Sequence, residues 1–272
     1  MSDIPLGPSS LLQKTFLNVD ATVVVYGGSR GSGKTFCGIL RHLRFCQDPK
    51  YVGYIIRRNE TMLKSDGGAF NEAVELCRRF CPQIKVTTKP MRIKFPWGAT
   101  ISFRGYEDDK ASDNYRGLQI SAAMIDEGNQ LKEDHIWMLL SCLRSEAKMD
   151  GNIWITCNPD PDSYLSRWVD WYLYPKEHPL AGRVDPDKNG RIRWFIRVGE
   201  TTMWDENKEQ LISFVKTTYG IKNPQPLSFV FIGGTIYDNP LLIKNNPMYL
   251  ANLESLKRVA KERDLYGRQI AA

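Results

Sequence analysis

The apolar residues of this chain follow two rhythms. Val23-Val24-Val25, Tyr51-Val52-Gly53-Tyr54-Ile55-Ile56, Ala122-Ala123-Met124-Ile125 and Ile153-Trp154-Ile155 are short unbroken runs. Such runs predict strands buried on both faces, as in a parallel sheet. Arg92-Ile93-Lys94-Phe95 and Thr100-Ile101-Ser102-Phe103 alternate instead, with Pro96-Trp97-Gly98-Ala99 between them, and predict a hairpin. Elsewhere apolar residues recur every three or four positions. Phe36 to Leu43, Ala69 to Cys77, Ile136 to Leu143, residues 206–219 and Tyr249 to Leu265 predict helices, the last carrying Leu250, Leu253, Leu256, Val259 and Ala260. A short helix with Leu12, Phe16 and Leu17, capped by Ser9 or Ser10, precedes the first strand, and Gln13 lies on another of its sides. Strands and helices in alternation indicate an α/β fold.

The first strand runs straight into Gly27-Gly28-Ser29-Arg30-Gly31-Ser32-Gly33-Lys34-Thr35. Gly28 to Thr35 fits G-x-x-x-x-G-K-[ST] without a mismatch, and strand, loop and helix follow in the order a P-loop requires. In such a loop the amides of Gly28, Ser29, Arg30, Gly31, Ser32 and Gly33 point at phosphate oxygens, and the helix start adds a positive end. Lys34 reaches the β/γ-phosphates and Thr35 holds Mg²⁺. The pattern predicts a site for a nucleoside triphosphate.

A second signal lies 92 residues beyond Lys34, where the Ala122–Ile125 strand ends in Asp126-Glu127. Adjacent acids at a strand end repel unless a cation shares them. In P-loop ATPases the first holds Mg²⁺ and the second orients and deprotonates water. The Ile153–Ile155 strand ends in Thr156-Cys157-Asn158-Pro159. Thr156 and Asn158 stand where a γ-phosphate would be sensed, and the same Asn-Pro-Asp-Pro run also starts turns readily. Gln13 is either a surface residue or a reader of the adenine edge. Arg191, Arg193 and Arg197 share one face of an alternating strand, which reads as a solvated face or as a contact for DNA phosphates.

With 272 residues, one large domain and an appended subdomain fit, divided at 1–199 and 200–272. The net charge of +6 permits a polyanionic partner without demanding one. The six cysteines form no Cys-x-x-Cys pair and read as reduced buried thiols. Met1 to Pro5 has neither a basic nor an apolar region, so no signal peptide is expected, and no apolar run reaches membrane-spanning length.

Taken together, the chain resembles the large terminase subunit of tailed bacteriophages, the ATPase that pumps DNA into capsids. The likeness runs along nearly the whole chain in order. It includes the glutamine-bearing helix, the glycine-rich loop with Arg30 inside it, Ile56-Arg57-Arg58, Phe95-Pro96-Trp97-Gly98-Ala99 and Tyr115-Arg116-Gly117-Leu118-Gln119. It continues through Met124-Ile125-Asp126-Glu127, Thr156-Cys157-Asn158-Pro159 and Tyr237-Asp238-Asn239-Pro240 to Leu265-Tyr266-Gly267. The resemblance implies a P-loop NTPase fold of the ASCE, RecA-like type: a mainly parallel sheet flanked by helices, with a C-terminal lid or linker. It implies Arg30 as a cis arginine on the γ-phosphate, Glu127 as the catalytic glutamate, Thr156 and Asn158 as the coupling motif, and Gln13 beside adenine. Arg116 matches an arginine that some relatives use in trans; otherwise it is a loop arginine for Asp113 or DNA.

The implied substrate is ATP with Mg²⁺. The implied partners are double-stranded DNA, the portal of a procapsid, the small terminase subunit and further copies of the chain. Those copies form a ring, a pentamer by resemblance, or the chain stays a monomer in isolation, in the host cytoplasm and away from membranes. Family members continue into an RNase H-like nuclease. This sequence stops at an altered junction, Gly267-Arg268-Gln269, so an isolated ATPase domain without nuclease activity is expected. The rival readings are a helicase- or recombinase-like DNA ATPase, a GTPase switch and a small-molecule kinase. The switch needs Asn-Lys-x-Asp, which Asn207-Lys208-Glu209-Gln210 fails to supply.

Overall fold

A computed structural model of the chain describes residues 6–268. Met1 to Pro5 and Gln269, on which the leader and junction readings partly rest, lie outside the described residues. Ten strands form one sheet: β1 (Val23–Gly28), β2 (Val52–Arg57), β3 (Lys85–Thr88), β4 (Met91–Lys94), β5 (Thr100–Gly105), β6 (Ala122–Ile125), β7 (Asn152–Thr156), β8 (Ile192–Val198), β9 (Thr201–Asp205) and β10 (Leu227–Gly234). Its order is β3-β4-β5-β2-β6-β7-β1-β10-β8-β9. The six strands from β5 to β10 in that order are parallel, and an antiparallel pair closes each edge.

Helices cover both faces, which is why the central strands read as unbroken apolar runs. On one side α1 (Leu11–Asn18), α2 (Lys34–Phe45), α3 (Glu60–Lys64) and α4 (Ala69–Phe80) pack Phe16, Ile39, Leu63 and Phe70 onto Val24, Ile55 and Trp154. On the other, α5 (Glu133–Ser141) and α6 (Tyr164–Val169) bring Ile136, Leu139 and Trp168 to Val25, Ile125 and Ile155. Full burial of each large apolar side chain contributes about 1.5–3 kcal/mol. The buried Arg41 of α2 donates to the carbonyls of Phe16 and, at 2.8 Å, Val19, with its guanidinium over the Phe16 and Trp154 rings. That anchor fixes α1 against the sheet and so places Gln13. Among the described residues no helix is long and apolar enough to cross a membrane.

After α7 (Lys208–Tyr219), three short helices follow β10: α8 (Pro240–Asn245), α9 (Pro247–Glu254) and α10 (Arg258–Asp264). They share a small core of Ile236, Leu253 and Leu265. The expected single helix over Tyr249–Leu265 is thus broken at 255–257. The break lets Leu253 and Leu265 both face Ile236 and returns the chain to the glycine-rich loop. The division at 199/200 is also corrected. It falls in the β8–β9 turn, and β10 beyond it is a parallel neighbour of β1.

Strands β3 and β9 escaped the sequence. Neither has a continuous apolar face, and each exists through pairing with its neighbour. Of the three arginines expected on one face, Arg191 is exposed, whereas Arg193 and Arg197 are half-buried and engaged. Phe195 between them is fully buried, Arg193 lies over Trp171 and Trp204, and Arg197 lies over Trp137 and pairs with Asp134 at 3.0 Å.

Candidate active site

The site forms where the parallel strands end, the usual crevice of such sheets. Because β7 lies between β1 and β6, Thr156 stands beside Tyr26 and within reach of the carboxylates after β6. At the end of β1 the loop turns through Gly28, whose φ of +118° suits glycine. A Cβ there would sit 1.9 Å from the Gly234 carbonyl, which accepts the Ser29 amide at 2.9 Å. Gly31 and Gly33 take left-handed φ values of 76° and 82° and curl the loop over the start of α2. Tyr26 Oη holds the Ser32 carbonyl at 3.2 Å, and Ser32 Oγ donates to the Ser29 carbonyl at 3.1 Å.

Lys34 Nζ bends back over this loop and donates to the carbonyls of Ser29 at 2.6 Å and Gly28 at 3.3 Å. Burial lowers its pKa to about 8. Thr35 Oγ1 donates to Asp126 Oδ1 at 3.1 Å, and Thr156 Oγ1 donates to the same oxygen at 2.7 Å. Burial pushes the Asp126 carboxyl above its ordinary value, against the pull of the Thr156 hydroxyl and Arg57. The Glu127 amide donates to Thr156 Oγ1 at 3.2 Å, so one hydroxyl ties the two acids to β7.

Glu127 has φ 54°, the one non-glycine residue with positive φ among those described. Such a backbone costs on the order of 1 kcal/mol or more and is held by its surroundings. Here Arg57, at the end of β2, binds Glu127 Oε2 at 2.5 Å and Asp126 Oδ2 at 3.6 Å. Gln130 Nε2 adds a bond to Glu127 Oε2 at 2.7 Å.

These residues open on a cavity of about 740 Å³, within the range of nucleotide-sized pockets. Its walls are the loop, Gln13 of α1, Glu127, Asn158 and, from the C-terminal unit, Asn239, Leu242 and Tyr249. Gln13 is buried, so the surface reading is overturned. Its oxygen accepts from Ser9 N at 2.8 Å and Ser9 Oγ at 3.0 Å, and its nitrogen donates to the Ser32 carbonyl at 3.3 Å. Only one N–H is left for a ligand, so Gln13 can donate to a base but not accept from it. Asn158 lines this cavity and two adjoining concavities.

Arg116 is not brought into the cavity. Its side chain is 69% exposed and pairs with Asp113 at 3.3 Å. Arg30 lies at the cavity wall beside Asp264 of α10.

Sequence reasoning missed Arg57, Glu72 and Asn239 as site residues. Arg57 appeared only as the end of a strand, and no local pattern ties it to acids some 70 positions downstream. Glu72 of α4 lines the cavity, and its burial, with the Asp126 charge second, raises its pKa to about 7. Asn239 Nδ2 donates to the Gly31 carbonyl at 2.7 Å. Its signal was the Asp-Asn-Pro run, but no partner was legible.

A ten-stranded, mostly parallel sheet with a glycine-rich loop after β1 and a carboxylate pair one strand removed defines a P-loop protein of the RecA-like class. The family model described as "Terminase large subunit, T4likevirus-type, N-terminal" matches residues 25–272, and the chain belongs to that family. Among solved structures it is similar to the large terminase of a thermophilic bacteriophage, with TM-score 0.59 and 15% identity over 97% of this chain and 54% of that one. It is also similar to the large terminase ATPase domain of Thermus phage P74-26, with TM-score 0.58 and 14% identity over 95% and 93%. The HK97 bacteriophage large terminase matches with TM-score 0.50 and 14% identity over 94% and 49%. These likenesses establish the fold, and the chain spans about half the length of the first and the last of these three proteins. The first of them has been solved with ADP and with ATP-γ-S. No curated protein sequence matches the chain.

Proposed function

We propose that the chain binds ATP with Mg²⁺ in this cavity and hydrolyses it as the motor domain of a DNA-packaging terminase. The observation that carries the reading is the convergence of Lys34, Thr35 and Glu127 from two distant segments on one nucleotide-sized cavity, with the buried Asp126 bonded to Thr35 behind its wall. The donor set suits the metal. A hydroxyl and a carboxylate 3.1 Å apart are the hard oxygens that Mg²⁺ takes, and Thr35 and Asp126 would hold it. When bound, the ion neutralises charge on the phosphates.

The protein's own groups do the rest. The loop amides and Lys34 bind phosphate oxygens, and Arg30 approaches the γ-phosphate. Glu127 accepts the proton of the attacking water on Oε1, while Arg57 and Gln130 hold its other oxygen, Oε2, and so orient the carboxylate. Thr156 ties both acids to β7, Asn158 at the cavity wall serves with it as the coupling motif, and the unit at 235–268 serves as the lid or linker. Gln13 donates one hydrogen bond to the base. A neighbouring copy's Arg116 completes the site in a ring, which accounts for its exposure here. The portal of a procapsid and the small terminase subunit are the further partners, in the host cytoplasm.

For DNA, the edge hairpin offers a better surface than β8. Lys85 stands directly opposite Lys94, and Thr87 opposite Arg92, all exposed on β3 and β4. Like charges directly opposed weaken a strand pair, and a shared phosphate relieves that repulsion.

Lys34 supplies one test of the phosphate site. Its pKa of about 8 in the free protein means that the amine loses its proton as pH rises through that value, while a bound triphosphate restores it. Affinity therefore falls as pH rises, approaching tenfold per unit above about pH 8, and binding at about pH 8.5 takes up a proton. Calorimetry in buffers of different ionisation enthalpy reads this. Heats independent of buffer reject the lysine assignment.

The function is tested by ATP turnover against protein concentration, with and without duplex DNA. An arginine supplied in trans is worth about 10³–10⁵ in rate, so specific activity should climb steeply with concentration. The double substitution Arg92→Glu with Lys94→Glu should remove the effect of DNA and spare DNA-free turnover. Flat specific activity excludes Arg116 in trans, and a preference for GTP excludes the ATPase reading.

A further inference from the structure

Three acids stand at this site, and two of them are compensated. Arg57 binds Glu127 Oε2 at 2.5 Å and stands 3.6 Å from Asp126 Oδ2, while the hydroxyls of Thr35 and Thr156 donate to Asp126 Oδ1. Glu72 is the third. It lies in the first turn of α4, half-buried, and lines the 740 Å³ cavity together with Lys34, Thr35, Phe36 and Glu127. Among the described residues no hydrogen bond and no ion pair reaches its carboxylate. The charges that act on it, Asp126 and Glu75, carry its own sign. Above about pH 7 the cavity wall therefore holds a negative charge with which no cation of the protein pairs.

Such a group opposes a bare polyanion and suits one that arrives with a divalent cation. We propose that Glu72 is a specificity-determining residue that sets the metal dependence of nucleotide binding, repelling the bare nucleotide and admitting its complex with the cation. The proposal rests on reading the cavity as a Mg²⁺-nucleotide site, with the ion held by Thr35 and by Asp126 behind the wall. Lys34 and Arg30 attract both forms of the ligand, and Glu72 supplies the difference between them. It need not ligate the ion to do so, because Mg²⁺ keeps several of its waters and acts on nearby acids through its charge. Charge acts on charge here across a partly desolvated space, where one unit is worth a several-fold change in affinity. By reciprocity, the factor by which Glu72 weakens binding of the bare nucleotide is a factor by which the cation strengthens it. Glu72 also stands at the start of α4, where an acid gains from the helix end and Gly68 provides no side-chain cap. That contribution is separable, for it acts on the fold and is blind to what the cavity holds.

The test is calorimetry of ATP-γ-S at about pH 8, one unit above the Glu72 pKa of about 7, with Mg²⁺ and with EDTA. In Glu72→Gln, affinity without metal should tighten about threefold to tenfold while affinity with Mg²⁺ moves by less than about twofold. Glu72→Asp keeps the charge and should keep the metal dependence of the unaltered protein. Glu75→Gln, on an exposed position of the same helix, should change neither affinity. Equal shifts for both forms, which a purely structural role in α4 would give, overturn the proposal. So do an unchanged affinity without metal, a metal dependence lost in Glu72→Asp, and an equal effect in Glu75→Gln. Glutamine suits a half-buried position that already disfavours charge, and a thermal melt checks the fold. Should it melt low, Glu72→Ser removes the same charge and is read in the same way. If Mg²⁺ leaves the affinity of the unaltered protein unchanged, the Mg²⁺-nucleotide reading of the cavity falls and the proposal with it, whereas the other adverse outcomes leave that reading standing.

Discussion

Glu127→Gln should leave nucleotide affinity within about twofold and lower turnover by about 10²–10⁴-fold, the usual worth of a positioned general base. Glutamine keeps the shape of the side chain and its bond to Gln130 but cannot take a proton. The strained φ of 54° aims this side chain into the cavity, where Arg57 grips it at 2.5 Å. Because Arg57 also contacts Asp126, the substitution leaves the guanidinium one carboxylate rather than none. Folding should therefore survive, and a thermal melt will show whether it does. Turnover at near wild-type rate in a folded Glu127→Gln protein would falsify the base assignment and send the search to Glu72, the other acid on the cavity wall.

Gly28→Ala should destabilise the protein by more than about 4 kcal/mol, a size reserved for backbone conflicts and buried voids. The added Cβ would lie 1.9 Å from the Gly234 oxygen and 2.8 Å from both the Gly234 carbon and nitrogen, all backbone atoms that no rotamer change can move aside. The φ of +118° adds strain of its own. For a chain of this size the midpoint of thermal unfolding should fall by about 8–16 °C, and nucleotide binding should go with it. Gly220→Ala is the control: its φ is also positive, but nothing lies within 4 Å of its Cβ, so it should cost only about 1 kcal/mol. A Gly28→Ala melt within about 3 °C of the unaltered protein would show that β1 and β10 can part at this point.

That glycine illustrates what sequence reading missed. Gly28 was legible as the first glycine of a phosphate loop, and its left-handed turn fits that. Its demand for an absent side chain comes from a carbonyl some 200 residues away. The same holds for Gln13. Its place in a capped helix before β1 was readable, and Ser10 does cap that helix. Its burial, and the commitment of its oxygen to Ser9, follow from α1 being pinned to α2 by Arg41. Arg193 and Arg197 mislead in the opposite sense. Alternation marked a basic face correctly, but tryptophans from three other segments cover it.

By itself the sequence determined the fold class, the order of the parallel strands' loops along the chain, the phosphate loop and the acid pair, because each rests on local backbone geometry or on burial period. It also carried the family, through motifs whose order along the chain is one-dimensional information. Tertiary structure alone decided that β10 belongs beside β1, that Arg57 clasps both acids, that Asn239 and Asp264 reach back to Gly31 and Arg30, and that Arg116 stays outside. Those are contacts between distant segments, selected by how helices pack on two sheet faces. A side chain's neighbours across that packing leave no trace in its own stretch of sequence.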